Sequence, residues 1–349
     1  MNETFSVLQG EETEVALRPK KLPRLGFLGL GWIGRSRLDA ILRSGIAEVS
    51  AFADPFPGAL RSAQEMSPQA VITDGLDDML ELGLDGIVIA TPSAMHADQA
   101  ISALEAGCAV FCQKPLARNA AETRAVIDAA RHLNRLLHVD YSYRYAAGLQ
   151  AIRRLVREGK LGSIYAIEMC FHSAYGPDKQ WFYNPELSGG GCLIDLGMHL
   201  IDLALWTLDF PSVERVAGYL LASGMPLMEA QEVKVEDYAA AQLQLSTGTV
   251  VQLRCSWKAP AGCDARIEAT FLGTEGGACF RNVNGSLSDF TAEHYLPNRT
   301  RVTLATPPDD WCGGAIIAWA RQLAEAPGFD PGIQHTNTVA ATLDALYDL

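Results

Sequence analysis

The feature that most narrows what this chain can fold into is a short apolar run, Leu25–Leu28, passing directly into Gly29-Leu30-Gly31-Trp32-Ile33-Gly34 at the start of a helical pattern. Glycines at these positions permit a tight turn, let the backbone approach a pyrophosphate and let helix and strand pack closely. The helix N-terminus then offers unpaired N–H groups to the anion. The hexapeptide alone is weak, because a glycine turn beside a solvated aspartate is its plain alternative. Its strength lies in context, since Asp54 closes the next apolar run near the ~20-residue offset at which an acid meets a ribose 2′-hydroxyl. Asp54 is followed by Pro55 and has no arginine beside it. A carboxylate accepts ribose hydroxyls and repels a 2′-phosphate, so the pattern predicts NAD in preference to NADP.

From Leu22 to about Tyr143, apolar runs (Leu25–Leu28, Val49–Ala53, Gly86–Ala90, Ala109–Cys112, Leu136–Val139) alternate with helical patterns, the signature of βαβ units. Residues 23–145 are therefore expected to form a doubly wound parallel α/β sheet of the Rossmann type. After a helix around Leu149–Arg157 the period changes. Ile164–Phe171, Ala239–Ser246 and Thr249–Trp257 alternate by two, with Val251, Leu253, Cys255 and Trp257 on one face and a Thr247-Gly248 turn between two of the runs. Residues 146–349 thus read as an α+β domain with a mostly antiparallel, open sheet. Cys192–Leu208 is expected as a helix at the domain junction. Ala315–Ala324 and Thr338–Leu349 are expected as closing helices, the last returning to the first domain. Residues 1–22 read as a flexible extension or an arm that packs on another subunit.

A formal net charge of −13, with no basic cluster beyond Arg18–Arg24, argues against nucleic acid or an anionic membrane as partner. The eight cysteines lack a CxxC pair and sit in apolar runs, as buried thiols in a reducing compartment do. The N-terminal stretch has no secretory pattern, and no apolar run approaches the ~20 residues of a membrane span, so a cytoplasmic location is expected.

Three further segments fall where open α/β sheets bind ligands, at the carboxyl ends of strands. Thr91-Pro92 with His96 follows the Gly86–Ala90 run, and His96 either meets the nicotinamide side of a cofactor or caps the next helix. Gln113-Lys114-Pro115 follows Ala109–Cys112, where an ammonium can hold a substrate oxygen or simply be solvated. Tyr143-Arg144 follows the last parallel strand, lining the cleft or bracing the domain junction. In the second half, Gly189-Gly190-Gly191 leads into a helix that places Asp195 and His199 four residues apart, with Asp202 one turn on. An aspartate so placed can orient an imidazole for proton transfer. A metal site and a purely structural helix are the other readings of this trio; further ligands have no obvious source in the sequence, so no metal is expected. Trp181, with Phe182 and Tyr183, reads as a sugar-stacking wall or a core anchor.

Together these segments, with Gly273-Thr274-Glu275-Gly276, resemble the Gfo/Idh/MocA oxidoreductase family, named for glucose–fructose oxidoreductase, inositol dehydrogenase and a rhizopine catabolism protein. The resemblance implies that Lys114, Asp195 and His199 form the catalytic group, that a carbohydrate or cyclitol hydroxyl is the substrate, and that the second sheet builds homodimers or homotetramers. Gln113 departs from the family's common Glu-Lys-Pro and removes a possible partner of the lysine. A reductase of a C=C, C=N or keto substrate, a cofactor-retaining oxidoreductase and a non-catalytic NAD-binding sensor are the rival readings.

Overall fold

The computed structural model describes residues 22–230 and 234–349. The expected N-terminal arm therefore falls outside the described residues, except for Leu22. Strands β1 (Arg24–Leu28), β2 (Glu48–Ala53), β3 (Val71–Ile72), β4 (Gly86–Ile89), β5 (Ala109–Cys112) and β6 (Leu137–Val139) form one sheet in the order β3-β2-β1-β4-β5-β6. All five pairings are parallel. Chain order reverses between β1 and β4, so a crevice opens beyond the carboxyl ends of these two strands.

The second sheet contains β7 (Ile164–Ser173), β8 (Val213–Ala222), β9 (Met225–Pro226), β10 (Tyr238–Leu245), β11 (Val250–Ser256), β12 (Ala265–Gly273), β13 (Gly277–Asn282), β14 (Phe290–Tyr295) and β15 (Arg301–Ala305). Its order is β15-β14-β13-β12-β7-β11-β10-β8-β9. Only β7 with β11 is parallel; the other pairs are antiparallel. Val251, Leu253 and Cys255 face the core while Gln252 and Arg254 face outward, as a half-covered sheet requires. Helix Met198–Thr207 packs on the covered face against β7 and β11.

Helical residues run over 185–188 and, after the bend of Gly189-Gly190-Gly191, over 192–207; the stretch Pro185–Thr207 as a whole is long and apolar enough by length and composition to cross a membrane, which corrects the expectation from apolar runs. Most of it, 78% of its most apolar window, is buried inside the protein, so its apolarity is that of a core helix.

The helix Gly314–Glu325 returns to the first domain. Trp319 is fully buried and joins Leu25, Phe27 and Phe111 in one core, its ring 5.6 Å from that of Phe111. Burying an aromatic side chain of roughly 200 Å² at ~25 cal/mol/Å² contributes about 5 kcal/mol before entropy is charged against it. Gly86 leaves the space this indole needs, since a Cβ there would stand 2.7 Å from the Trp319 ring. The last helix, His335–Tyr347, packs on helix Ala120–His132 of the first domain and on Met198–Thr207 of the second.

Candidate active site

At the crevice, the glycines of the first turn have separable causes. Gly29 has φ +91° and a Cβ there would meet the Ala90 carbonyl oxygen at 2.5 Å; at Gly34 a Cβ would meet the Gly29 oxygen at 2.1 Å. Gly31 has an ordinary φ of −60°, and a Cβ there would meet nothing within 4 Å. Gly29 and Gly34 are thus imposed by β4 and by helix packing, whereas Gly31 keeps an open space bare. That space faces the start of helix Trp32–Ser44, which has no side-chain cap and no acid in its first turn. Such an end is suited to a pyrophosphate. Trp32 is largely exposed beside it and Ile33 is half-buried. The Asp54 carboxylate accepts from Leu30 N at 2.7 Å and Phe56 N at 2.8 Å, which locks the glycine turn to the end of β2. Phe56, exposed next to it, was not singled out by sequence. These features fit a dinucleotide.

Across the crevice, Pro92 sits at the N-cap of helix Ser93–Glu105 and the Thr91 hydroxyl bonds the Gln99 side chain at 2.6 Å. His96 is buried and caps nothing. Its ring nitrogens lie 2.7 Å from the Pro115 and Thr91 carbonyl oxygens, at the turns after β5 and β4; the neutral ring donates its one N–H to one of them and packs against the other. Neither expectation describes these contacts: the buried imidazole is committed to backbone oxygens of the two turns.

Gln113 is likewise turned inward. Its side-chain amide donates to Asp140 Oδ2, which also accepts from Arg37 Nε at 2.5 Å. A carboxylate at position 113 would place a second negative charge against buried Asp140, so the amide suits this local network. Its amide N–H is thus given to Asp140, and among the described residues no side-chain hydrogen bond joins Gln113 to Lys114. The sequence reading missed Arg37 and Asp140. The signals for them were an arginine on the buried face of the first helix and an acid one residue beyond β6.

Lys114 is the meeting point of the two domains. Its Nζ donates to the Asp195 backbone oxygen at 2.8 Å and to Asp195 Oδ1 at 2.7 Å. An ammonium has three donors, so one remains for a substrate oxygen. Asp195 Oδ2 accepts from Trp257 Nε1 at 3.0 Å. Trp257 was legible only as a core face of its strand.

His199 departs from the expected partnership. Residues Leu193–Gly197 form a π-turn, with Met198 N bonded back to the Leu193 oxygen, before the α-helix begins. The extra residue in that turn rotates Asp195 off the α-helical stripe that the four-residue spacing implies. Asp195 accordingly reaches Lys114 and Trp257, and among the described residues no hydrogen bond reaches the His199 ring. Burial holds this imidazole well below its ordinary pKa of 6.5, with Lys114 and then Arg37 adding to the effect. Tyr143, stacked on Trp311 at 4.7 Å, meets the imidazole edge-on at 5.0 Å. Tyr143 supports His199 from the core side.

Asp202 and Arg144 leave the site altogether. Arg144 Nε donates to buried Asp202 Oδ2 at 2.9 Å, and the guanidinium lies 4.5 Å from the Tyr141 ring and 5.3 Å from that of Phe210. Of the two roles open to Arg144, bracing the junction is the one its contacts satisfy, which corrects its assignment to substrate. With Asp202 so paired, the carboxylates and histidine of this helix do not converge. Among the described residues no group of three metal-ligating side chains comes together. Trp181 is half-buried and stacked on Phe182 at 3.8 Å, while Phe182 and Tyr183 stand edge-on to Trp257. The aromatic wall is thereby joined through one indole to Asp195.

Burial lowers the pKa of His199, of His96 and of His138, the last to about 4. The unfolded chain takes up these protons near pH 6.5 and the folded chain only at lower pH, so the stability these rings contribute is complete above 6.5 and is lost as pH falls. The Tm is expected to drop by roughly 5 °C or more between pH 7 and 5, and His138→Gln to flatten that slope, in melts at matched ionic strength. Equal slopes in both proteins would remove His138 from the account.

A six-stranded dinucleotide crevice facing a Lys–Asp pair and a neutral histidine defines a two-domain oxidoreductase. Residues 23–141 match the profile of the oxidoreductase family with NAD-binding Rossmann fold, and residues 149–279 that of the GFO/IDH/MocA C-terminal domain. The chain is 31% identical over 316 residues to a dTDP-3,4-didehydro-2,6-dideoxy-alpha-D-glucose 3-reductase of Saccharopolyspora spinosa, covering 90% of each. It is 29% identical over 254 residues to D-glucoside 3-dehydrogenase of Escherichia coli K12, covering 69% of this chain and 68% of that one. A levoglucosan dehydrogenase solved with NADH and levoglucosan shares the fold, with a TM-score of 0.78, 22% identity and coverage of 94% and 97%. The chain belongs to the Gfo/Idh/MocA oxidoreductase family.

Proposed function

We propose that the protein oxidises one secondary hydroxyl of a sugar, sugar derivative or cyclitol, or reduces the corresponding ketone, using NAD in preference to NADP. The observation that carries this reading is Lys114, held by Asp195 with one donor to spare, at the carboxyl end of the strand next to the crevice. A bound nicotinamide would supply the hydride acceptor. Lys114 holds the substrate oxygen and stabilises the negative charge that grows on it as hydride leaves. His199, neutral because it is buried, takes the hydroxyl proton. Asp195 acts on Lys114, fixing its ammonium from two sides, rather than on the imidazole. Asp54, oriented by two backbone N–H groups, supports the preference for NAD because a 2′-phosphate would meet its charge. Similar relatives named as a dehydrogenase and a reductase support either direction for the same site. For self-association we favour the open face of the second sheet, where Gln242, Gln252 and Arg254 point outward.

The test is NADH absorbance across a panel of inositols, free sugars, sugar acids and nucleotide sugars, with NAD and with NADP. Turnover of one class, faster with NAD, is the expected outcome. NADP faster than NAD would overturn the role given to Asp54. Because His199 titrates well below 6.5, kcat/KM is expected to hold level as pH falls through 6.5; a fall centred there would assign the proton to another base.

A further inference from the structure

Glu236 lies just before β10, fully buried, and among the described residues it forms no ion pair. Its carboxylate accepts from Leu193 N at 2.8 Å, from Gly191 N at 3.0 and 3.1 Å, and from the Tyr347 hydroxyl at 2.8 Å. Its backbone oxygen accepts from Cys192 N at 3.0 Å. The Tyr347 hydroxyl in turn accepts from Ile194 N at 3.2 Å. These are four consecutive N–H groups, Gly191 to Ile194, of the kind that a helix start leaves without intrahelical partners. No side chain within the segment caps it. Two residues distant in sequence meet all four.

The glycines of the turn follow from this closeness. A Cβ at Gly190 would stand 2.1 Å from the Tyr347 hydroxyl oxygen, and one at Gly191 would stand 2.0 Å from the Glu236 backbone oxygen. A buried carboxylate without a cation costs several kcal/mol, and burial does push the Glu236 carboxyl above its ordinary range, while the backbone N–H groups and the Tyr347 hydroxyl pull the other way and offset part of that cost. Asp195 is the next residue. Its N–H makes the intrahelical bond to the Gly191 oxygen at 3.1 Å, and its carbonyl and carboxylate hold Lys114.

We infer that Glu236 and Tyr347 form a positioning pair. They clamp the backbone of residues 191–194 and so set the depth and pitch at which Asp195 presents Lys114, and His199 its ring, to one substrate oxygen. The inference rests on the reading of Lys114 and His199 as the substrate-facing pair. Neither Glu236 nor Tyr347 touches the reacting atoms.

Glu236→Gln keeps the shape but turns an amide NH2 toward backbone donors. It is expected to lower kcat on the order of 10²-fold, the scale of an ångström-level misplacement of reacting groups. The Kd for NADH, read by fluorescence titration, should stay within about twofold, because the cofactor crevice belongs to the other sheet. Tyr347→Phe deletes one acceptor and should cost on the order of tenfold in kcat with the same NADH affinity. In the NADH complex of both variants, hydrogen exchange should quicken at 191–194 and stay unchanged in β1–β6. Wild-type kcat in both variants would overturn the inference. So would kcat and NADH affinity falling together with exchange quickened throughout the chain. If the wild type turned over no alcohol, the proposed function would fail on its own, and local exchange at unchanged NADH affinity would still decide the clamp.

Discussion

Lys114→Ala should lower kcat/KM by on the order of 10³-fold and leave the Kd for the cofactor within about threefold, as expected for a group that acts on the developing alkoxide rather than on the dinucleotide. Two of the three ammonium donors go to Asp195, so alanine removes the donor for substrate and also strips Asp195 of its cation. Lys114→Arg should rescue little. A planar guanidinium cannot place one donor on substrate while bonding a carbonyl and a carboxylate of the same residue from the same point. Steady-state kinetics beside NADH titration separate the two quantities. A rate within tenfold of wild type would remove Lys114 from the chemistry, and a loss confined to cofactor affinity would move it to the binding crevice.

The crevice glycines provide the second large contrast. Gly34→Ala sets a methyl group 2.1 Å from a backbone oxygen that cannot swing aside. A loss of about 4 kcal/mol or more, or failure to fold, is expected from such overpacking. Gly31→Ala has room for its methyl and an ordinary backbone conformation to adopt. It should melt within about 2 °C of wild type and yet bind NAD on the order of 10²-fold more weakly, because only a ligand needs that position bare. Calorimetry with and without NAD reads both effects. If Gly31→Ala bound NAD normally, the pyrophosphate would not lie against this turn.

Legibility in the sequence varied with how local each cause was. The parallel sheet could be read because its strands, buried on both faces, are continuous apolar runs punctuated by glycine, and the two-residue β3, exposed at the edge, offered no such run. In the second sheet β11 shows a clean period of two, β10 shows it from Gln242 onward after three successive alanines, and β12 shows it through Ala265, Ile267, Ala269 and Phe271, although its alanines weaken the contrast. β8 is half-exposed along its length and carries little alternation to detect. At the site, Lys114, Asp195 and His199 stood out because each follows a strand end or a glycine turn. Their pairing did not, because the π-turn is a deviation in backbone winding that residue spacing cannot report. Arg37, Asp140, Trp257 and Glu236 act across 27 to 111 residues of chain, and a single sequence carries no sign of which distant partner each will meet.

The helix Gly314–Glu325 belongs to the second half by sequence and to the first by packing. A chimera that exchanges substrate domains between relatives by a single crossover near residue 146 would therefore import a foreign wedge into the cofactor half. The grafted residue would have to fill the hollow that Gly86 leaves for Trp319. Swapping specificity in this scaffold calls for two crossovers, with the segment around Trp319 travelling with the strands it covers. The modular unit is spatial and discontinuous along the chain.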